Sequence, residues 1–276
     1  MPAEIKKIRI GALLSGSGSN FKAIADACES GLIDGEIVFA GSDRPAAKGL
    51  EIAQKRSIPI FCVDYGSHIR RFKQNLDTIH LPDDADMTAL MRQSTSLLSR
   101  HDSEQARFFL MTRAAIEAEL LNEIDPYPFD LLVLAGFMRN LTPYFIDRIN
   151  ITPRKPRIMN IHPALLPAFP GTDGYGDTFR YGCKVGGCTV HFIDYGEDSG
   201  PIIGQKAFAI SERDTIETIR AKGLKLEWQL YPKCVQLFAQ KRLAVVNQSH
   251  CLRGGLIKKR AVVKIRTDGE KTDEAN

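Results

Sequence analysis

Apolar and polar positions follow two alternating rhythms along the first two thirds of the chain. Residues 5–14 (IKKIRIGALL) form an apolar, β-branched run that breaks into Ser15-Gly16-Ser17-Gly18-Ser19-Asn20, as a buried strand entering a tight loop does. Phe21, Ile24, Ala25 and Cys28 then recur on one helical stripe. Residues 37–40 predict a second strand, 45–56 a helix with proline near its first turn, and 58–63 a third strand. Strands separated by helices of this length imply βαβ units and a parallel sheet.

The rhythm breaks at residues 66–111, which carry Pro82-Asp83-Asp84-Ala85-Asp86 and a polar helical stretch at 87–100. This segment is expected to be an insertion on the sheet's surface, where extra length is tolerated best. A long helix is expected over Ser103–Ile124, stopped by Pro126 and Pro128, and residues 130–135 (DLLVLA) are the clearest strand. A helix at 141–149 and a short strand at 157–160 follow. Residues 189–193 and 201–210 read as strands with no helix between them, hence as an antiparallel extension. Asp214-Thr215 caps a long helix running to Ala239, and residues 240–246 start another strand. The expected organisation is one large unit, 1–246, that carries the insertion, then a basic extension, 247–276, whose end (267–276, TDGEKTDEAN) is polar enough to be disordered.

Composition narrows the class without deciding it. With 43% hydrophobic and 25% charged residues the chain is an ordinary globular protein. Its longest apolar run, 131–138, is far below the roughly 18 residues of a membrane span. The N-terminus lacks a secretory pattern, so a cytoplasmic location and free thiols are expected for the six cysteines. Cys183 and Cys188 have no second Cys/His pair at ligand spacing, so no metal is expected. A net charge of +4 permits an anionic ligand. The basic stretch after residue 250 lacks interleaved aromatics, so no nucleic-acid partner is expected, and no membrane partner either.

Four places could carry chemistry. The Gly16-x-Gly18-Ser19-Asn20 loop lies between strand and helix. It suits either a turn capped by Ser19 or Asn20 or a cradle for a monophosphate on free helix N–H groups. Its third dinucleotide glycine is absent, since Phe21 stands there. Asn160 and His162 are two apart at a strand end, so both side chains leave one face. An amide and an imidazole side by side can stabilise an oxyanion and shuttle a proton. Asp198, in Glu197-Asp198-Ser199-Gly200-Pro201, is either a turn residue or a partner that keeps His162 protonated. The strand end 136–141 (GFMRNL) offers apolar side chains and open backbone to a flat heteroaromatic ligand, or is a plain connection.

Six ordered segments then resemble one family. They are the opening strand with its GSGSN loop, VLAGFMRNL (133–141), NIHPALLPAF (160–169), GCTVHF (187–192), EDSGPII (197–203) and LEWQLYP (226–232). Over roughly residues 5–246, the insertion excepted, the chain is similar to the glycinamide ribonucleotide transformylases, or phosphoribosylglycinamide formyltransferases, of the folate-dependent formyltransferase superfamily. The resemblance implies a Rossmann-like α/β fold, a mostly parallel twisted sheet with helices on both faces and an antiparallel C-terminal extension. It implies a purine-biosynthetic enzyme, monomer or homodimer, moving a formyl group from the co-substrate 10-formyltetrahydrofolate to the amine of glycinamide ribonucleotide. Asn160 and His162 would stabilise the tetrahedral intermediate, His162 would donate the proton and Asp198 would hold it protonated. Gly18, Ser19 and Asn20 would bind the ribonucleotide and Glu227 its ribose. Arg113, Met138, Arg139, Asn140, Leu141 and Asn160 would contact the folate. The stretch 172–179 departs from the family pattern beside the acceptor, and Leu224 stands where a polar phosphate contact is common, although Lys222 and Lys225 are near. Another amine acceptor, a formyltetrahydrofolate hydrolase and a non-catalytic folate or nucleotide binding module are the alternatives.

Overall fold

In the first strand, Ile10, Ala12 and Leu14 join one apolar cluster while Leu13 joins another, as a strand covered on both faces requires. The computed structural model describes residues 6–94, 98, 102–152 and 154–267. Its elements are β1 (Ile8–Leu14), α1 (Ser19–Glu29), β2 (Gly35–Ser42), α2 (Lys48–Gln54), β3 (Ile60–Cys62), α3 (Tyr65–Gln74), a 3-10 turn (Leu76–Thr78), α4 (Met87–Gln93), α5 (Ser103–Ile124), β4 (Leu131–Leu134), α6 (Pro143–Ile149), β5 (Ile158–His162), α7 (Gly174–Arg180), β6 (Val185–Phe192), β7 (Ile202–Ala209), α8 (Ile216–Ala239), β8 (Leu243–Cys251) and β9 (Ile257–Ile265).

Seven strands form one sheet in the order β3-β2-β1-β4-β5-β6-β7. The first five are parallel and β6 and β7 run antiparallel, so the expected mixed α/β sheet is the observed one. The chain winds outward from β1 to β3 and returns to β4 on the other side of β1. That reversal opens a crevice at the carboxyl ends of β1 and β4, the place where open α/β sheets bind ligands. Helices α1, α2 and α8 supply Phe21, Ile24, Leu50, Ala53, Leu230 and Val235 to one face. Tyr65 and Phe72 of α3, Ile116 and Leu120 of α5 and Phe145 of α6 pack on the other.

Local chemistry explains where the elements depart from expectation. The helix expected at 45–56 is shorter, running over Lys48–Gln54, because residues 44–47 form a turn in which the Ala47 N–H donates to the Arg44 carbonyl at 3.2 Å. Thr142 precedes Pro143, and a proline in the first turn sets the start of α6, two residues later than expected. The stretch 172–179, which departs from the family pattern, is mostly helical, since α7 starts at Gly174 and ends at Arg180. The segment 66–111 is not wholly superficial, since Phe72 of α3 is buried in the second cluster. The strand expected from 240 begins at Leu243, after Lys241 turns at φ 56°, and runs to Cys251, so residue 246 lies inside it. β8 pairs with β9, packing Val245 and Val263 toward the main core, while Lys258, Lys259, Arg260 and Lys264 stay exposed. Residue 5, part of 95–101 and all of the 267–276 tail except Thr267 lie outside the described residues.

Candidate active site

β5 is flanked by the parallel β4 and the antiparallel β6, which fixes both of its edges. Asn160 and His162 leave its end on one face, His162 being only 3% exposed. Asp198 reaches them from the β6–β7 connection in a left-handed conformation, φ 49°. Its Oδ2 lies 3.2 Å from His162 Nδ1 and accepts the Gly171 N–H at 2.8 Å. The other ring nitrogen, His162 Nε2, donates to the Phe169 carbonyl at 2.7 Å. Burial pushes the Asp198 carboxyl up, but the hydrogen bond with His191, the charge of His162 and the Gly171 N–H outweigh it and hold it below the usual carboxylate range.

His191 completes this group and was not singled out in the sequence. The β5–β6 register sets it opposite Asn160. Its Nε2 lies 3.3 Å from Asn160 Nδ2 and 3.6 Å from Asp198 Oδ1, and its Nδ1 is 2.9 Å from the Phe192 carbonyl. The signal was present in GCTVHF, but it needs the antiparallel pairing to have meaning. Cys188 and Ser199 carry no nucleophile's geometry. Burial pushes the Cys188 thiol up to about 12, and the Ser199 hydroxyl donates to Asp194.

A cavity of about 150 Å³ joins these groups to the crevice. Its walls include Gly136, Met138, Arg139, Asn140 and Leu141 on one side and Asn160, His162, Ile193, Glu197 and Asp198 on the other. The start of the 136–141 segment is tied to β1, because the Ser15 N–H donates to the Gly136 carbonyl at 3.0 Å and Ser15 Oγ accepts from the Met138 N–H at 2.8 Å. Asn140 Nδ2 donates across the mouth to Glu197 at 3.3 Å. Apolar walls with a few convergent polar groups fit a flat ring with a hydrogen-bonding edge.

The other half of the crevice is built around Gly18. It starts α1 at φ 73°, with no side-chain cap on the helix, so the reading of a turn capped by Ser19 or Asn20 is not what the chain adopts. A Cβ on Gly18 would stand 2.4 Å from Gly49 Cα, so the loop needs glycine twice over. Among the described residues no side chain caps the first-turn N–H groups of α1, an arrangement that suits an anion. Asn20 Nδ2 donates to Glu227 Oε2 at 2.7 Å, and Tyr175 of α7 donates to Glu227 Oε1 at 2.6 Å. Gly223 leaves room for the tyrosine ring, since a Cβ there would lie 2.1 Å from Tyr175 Cζ. Asn20 Oδ1 is buried and has no partner among the described residues. Lys222 is committed to Asp214 at 2.6 Å.

Arg113 stands apart from the cavity walls. Its guanidinium lies over the rings of Tyr65 and Phe109, 5.3 and 5.0 Å from their centroids, and Arg139 lies over Tyr65 at 5.4 Å while donating to Asp43 at 2.5 Å. One turn along α5, Glu117 is fully buried and accepts from the N–H and hydroxyl of Thr142. Burial raises its carboxyl from 4.5 to about 7 against those hydrogen bonds and the charges of Arg113 and Arg148. The folded chain therefore keeps a proton that the unfolded chain releases near 4.5, and stability falls as pH rises from about 4.5 to 7. Glu117→Gln, neutral throughout, is expected to gain on the wild type by on the order of 3 kcal/mol between pH 5 and pH 8. Urea denaturation at the two pH values measures this, and an unchanged difference would refute the assignment.

The profile of the formyl transferase family matches residues 8–235. The phosphoribosylglycinamide formyltransferase of Bacillus subtilis is 33% identical over 222 residues, 80% of this chain and 90% of that protein. The Escherichia coli enzyme of the same name is 31% identical over 90% of this chain and 94% of its own. The crystal structure of glycinamide ribonucleotide transformylase 1 from Symbiobacterium toebii superposes with a TM-score of 0.70 and 33% identity, covering 97% of this chain and 98% of that one. The chain belongs to the formyl transferase family. Within it, this is an enzyme of the phosphoribosylglycinamide formyltransferase-like type. Among the described residues no helix is long and apolar enough to cross a membrane, and no group of three or more His, Cys, Asp or Glu is placed to hold a metal ion.

Proposed function

We propose that the enzyme transfers the formyl group of 10-formyltetrahydrofolate to the amine of glycinamide ribonucleotide, in the cytoplasm. The observation that carries this reading is the His162–Asp198 pair, 3.2 Å apart beside a cavity that Asn160 also lines. The neutral amine attacks the formyl carbon, forming a C–N bond while the carbonyl electrons move to oxygen. Collapse breaks the bond to the folate nitrogen, which must gain a proton while the amine loses one. Asn160 Nδ2 and His162 are the donors for the oxyanion. His162 gives its proton to the departing nitrogen and recovers the one the amine sheds. Both of its ring nitrogens face acceptors, the Asp198 carboxylate and the Phe169 carbonyl, so the doubly protonated ring satisfies both. Displacement of the Phe169 carbonyl frees the Nε2 hydrogen for the substrate.

On the donor side, the apolar walls and the backbone of Met138, Arg139, Asn140 and Leu141 receive the pterin, and Arg113 serves the folate through its contact with Tyr65 rather than from the cavity wall. On the acceptor side, Gly18 and Ser19 receive the phosphate. Asn20 Nδ2 is spent on Glu227, while Asn20 Oδ1 is a buried acceptor with no partner among the described residues, which suits a sugar hydroxyl. Glu227→Gln is expected to raise the acceptor KM about 10- to 100-fold by weakening charge-assisted hydrogen bonds, with the donor KM unchanged. Steady-state kinetics with each substrate varied decides it.

Tyr175 supports a second reading. Its bond to Glu227 comes from the helix that replaces the family's usual stretch, and a different amine acceptor would account for it. The test is one assay of purified enzyme with 10-formyltetrahydrofolate, glycinamide ribonucleotide, a panel of other amines and an amine-free control, read by product mass. Formylated glycinamide ribonucleotide supports the proposal. Formate release without any amine would replace it with a hydrolase, and binding without turnover with a binding module.

A further inference from the structure

The geometry points to Glu117 as a positioning residue for the donor: it fixes, through Thr142, the far end of the 136–141 segment that lines the cavity. The inference rests on the folate reading of that cavity. Glu117 sits on a helix face whose other buried residues near it, Ala114, Ile116 and Leu120, are apolar. A carboxylate there is retained only where specific donors meet it. Both donors come from a single residue, the Thr142 N–H at 2.9 Å and the Thr142 hydroxyl. Thr142 is itself fully buried and sits at the N-cap of α6, yet its hydroxyl makes no cap bond to that helix because it is turned to Glu117. A threonine that forgoes its ordinary capping bond marks a contact the fold has placed elsewhere.

The segment is thus anchored twice. At its start Ser15 of the β1 end holds Gly136 and Met138. At its end Glu117 holds the residue that follows Leu141. Between the anchors Met138, Arg139, Asn140 and Leu141 line the cavity and lie outside any strand. Glu117 also lies one turn from Arg113, whose guanidinium shares the Tyr65 ring with Arg139. A loss of the Glu117 anchor would therefore shift both the segment and the arginine pair behind it. The Ser15 anchor directly follows the central strand β1, so Glu117 is the anchor that can be removed without disturbing a strand end.

Three variants separate this role from a structural one. Glutamine can accept the Thr142 N–H through its carbonyl and donate its amide to the Thr142 hydroxyl, so Glu117→Gln keeps the anchor. Its donor KM, and its Kd for tetrahydrofolate by calorimetry, are expected within twofold of wild type. Glu117→Leu abolishes the anchor and is expected to raise both about tenfold, with the acceptor KM within twofold. Thr142→Val removes only the hydroxyl bond, remains testable if the leucine variant fails to fold, and is expected to raise donor KM three- to fivefold. A role confined to the core would lower the folded fraction, scaling kcat while leaving both KM values in place, and would overturn the inference. So would a folded Glu117→Leu or Thr142→Val enzyme with wild-type donor KM, or a Glu117→Gln enzyme as impaired as the leucine variant. Failure of the wild-type enzyme to bind any folate would overturn the functional reading and this inference together.

Discussion

Replacing His162 with alanine is expected to lower kcat/KM for formyl transfer about a thousandfold or more, because one side chain is asked to supply an oxyanion donor and the proton for the leaving nitrogen. The loss belongs in kcat, since neither function is exercised in the ground state. Asp198 would keep its Gly171 N–H at 2.8 Å and its contact with His191 at 3.6 Å, so the turn that carries it stays supported. Thermal unfolding should therefore move little while transfer collapses. Stopped assays with saturating substrates, alongside a melting curve, distinguish chemistry from misfolding. Activity within tenfold of the wild type would take His162 out of the mechanism.

Asp198→Asn is expected to cost about a hundredfold in kcat/KM, through loss of the carboxylate charge that faces His162 Nδ1 as the ring hands on its proton. Asparagine is the informative replacement. At φ 49° a residue must accept the left-handed conformation, which asparagine does more readily than alanine, and its side-chain carbonyl can still accept the Gly171 N–H. The same substitution has a signature in stability. The folded Asp198 carboxyl lies below its usual value, so its contribution is present above the unfolded pKa of about 3.9 and is lost as pH falls through the folded value. The stability gap between wild type and variant should narrow in acid and hold constant from pH 5 upward, as denaturant titrations at several pH values would show. A gap that widens in acid would reverse the assignment of sign and remove the hydrogen bond with His191 and the attraction of His162 as its sources.

Much of this was legible before any coordinates. The alternation of Asn160 and His162 at the end of an apolar strand places both side chains together by backbone geometry alone. The breaks after residues 14 and 134 locate two loops at one edge of a parallel sheet. What sequence patterns could not supply is pairing across elements. His191 acquires its place only from antiparallel register with β5. Glu117 looks like an ordinary charged position on a long helix until Thr142 is found opposite it. Arg113 lies on the helix expected for it, yet its guanidinium goes to Phe109 of the same helix and to Tyr65, whose position depends on α3. Helix α7 was hidden by Gly174 and Gly176, residues of poor helix propensity that are tolerated because Ala164, Pro163 and Asp173 crowd against them.

The two kinds of support under the reacting groups have a kinetic corollary. Asn160 and His162 ride on a strand bonded along both edges, whereas Asp198 rides on a connection between strands. Deuterium uptake should therefore separate them, with the amides of 159–161 among the last to exchange and those of 195–199 among the first. On the proposed mechanism, the Asp198 carboxylate is then the member of the set expected to adjust as reactants arrive and products leave, while the amide and imidazole keep a fixed frame for the bond being made.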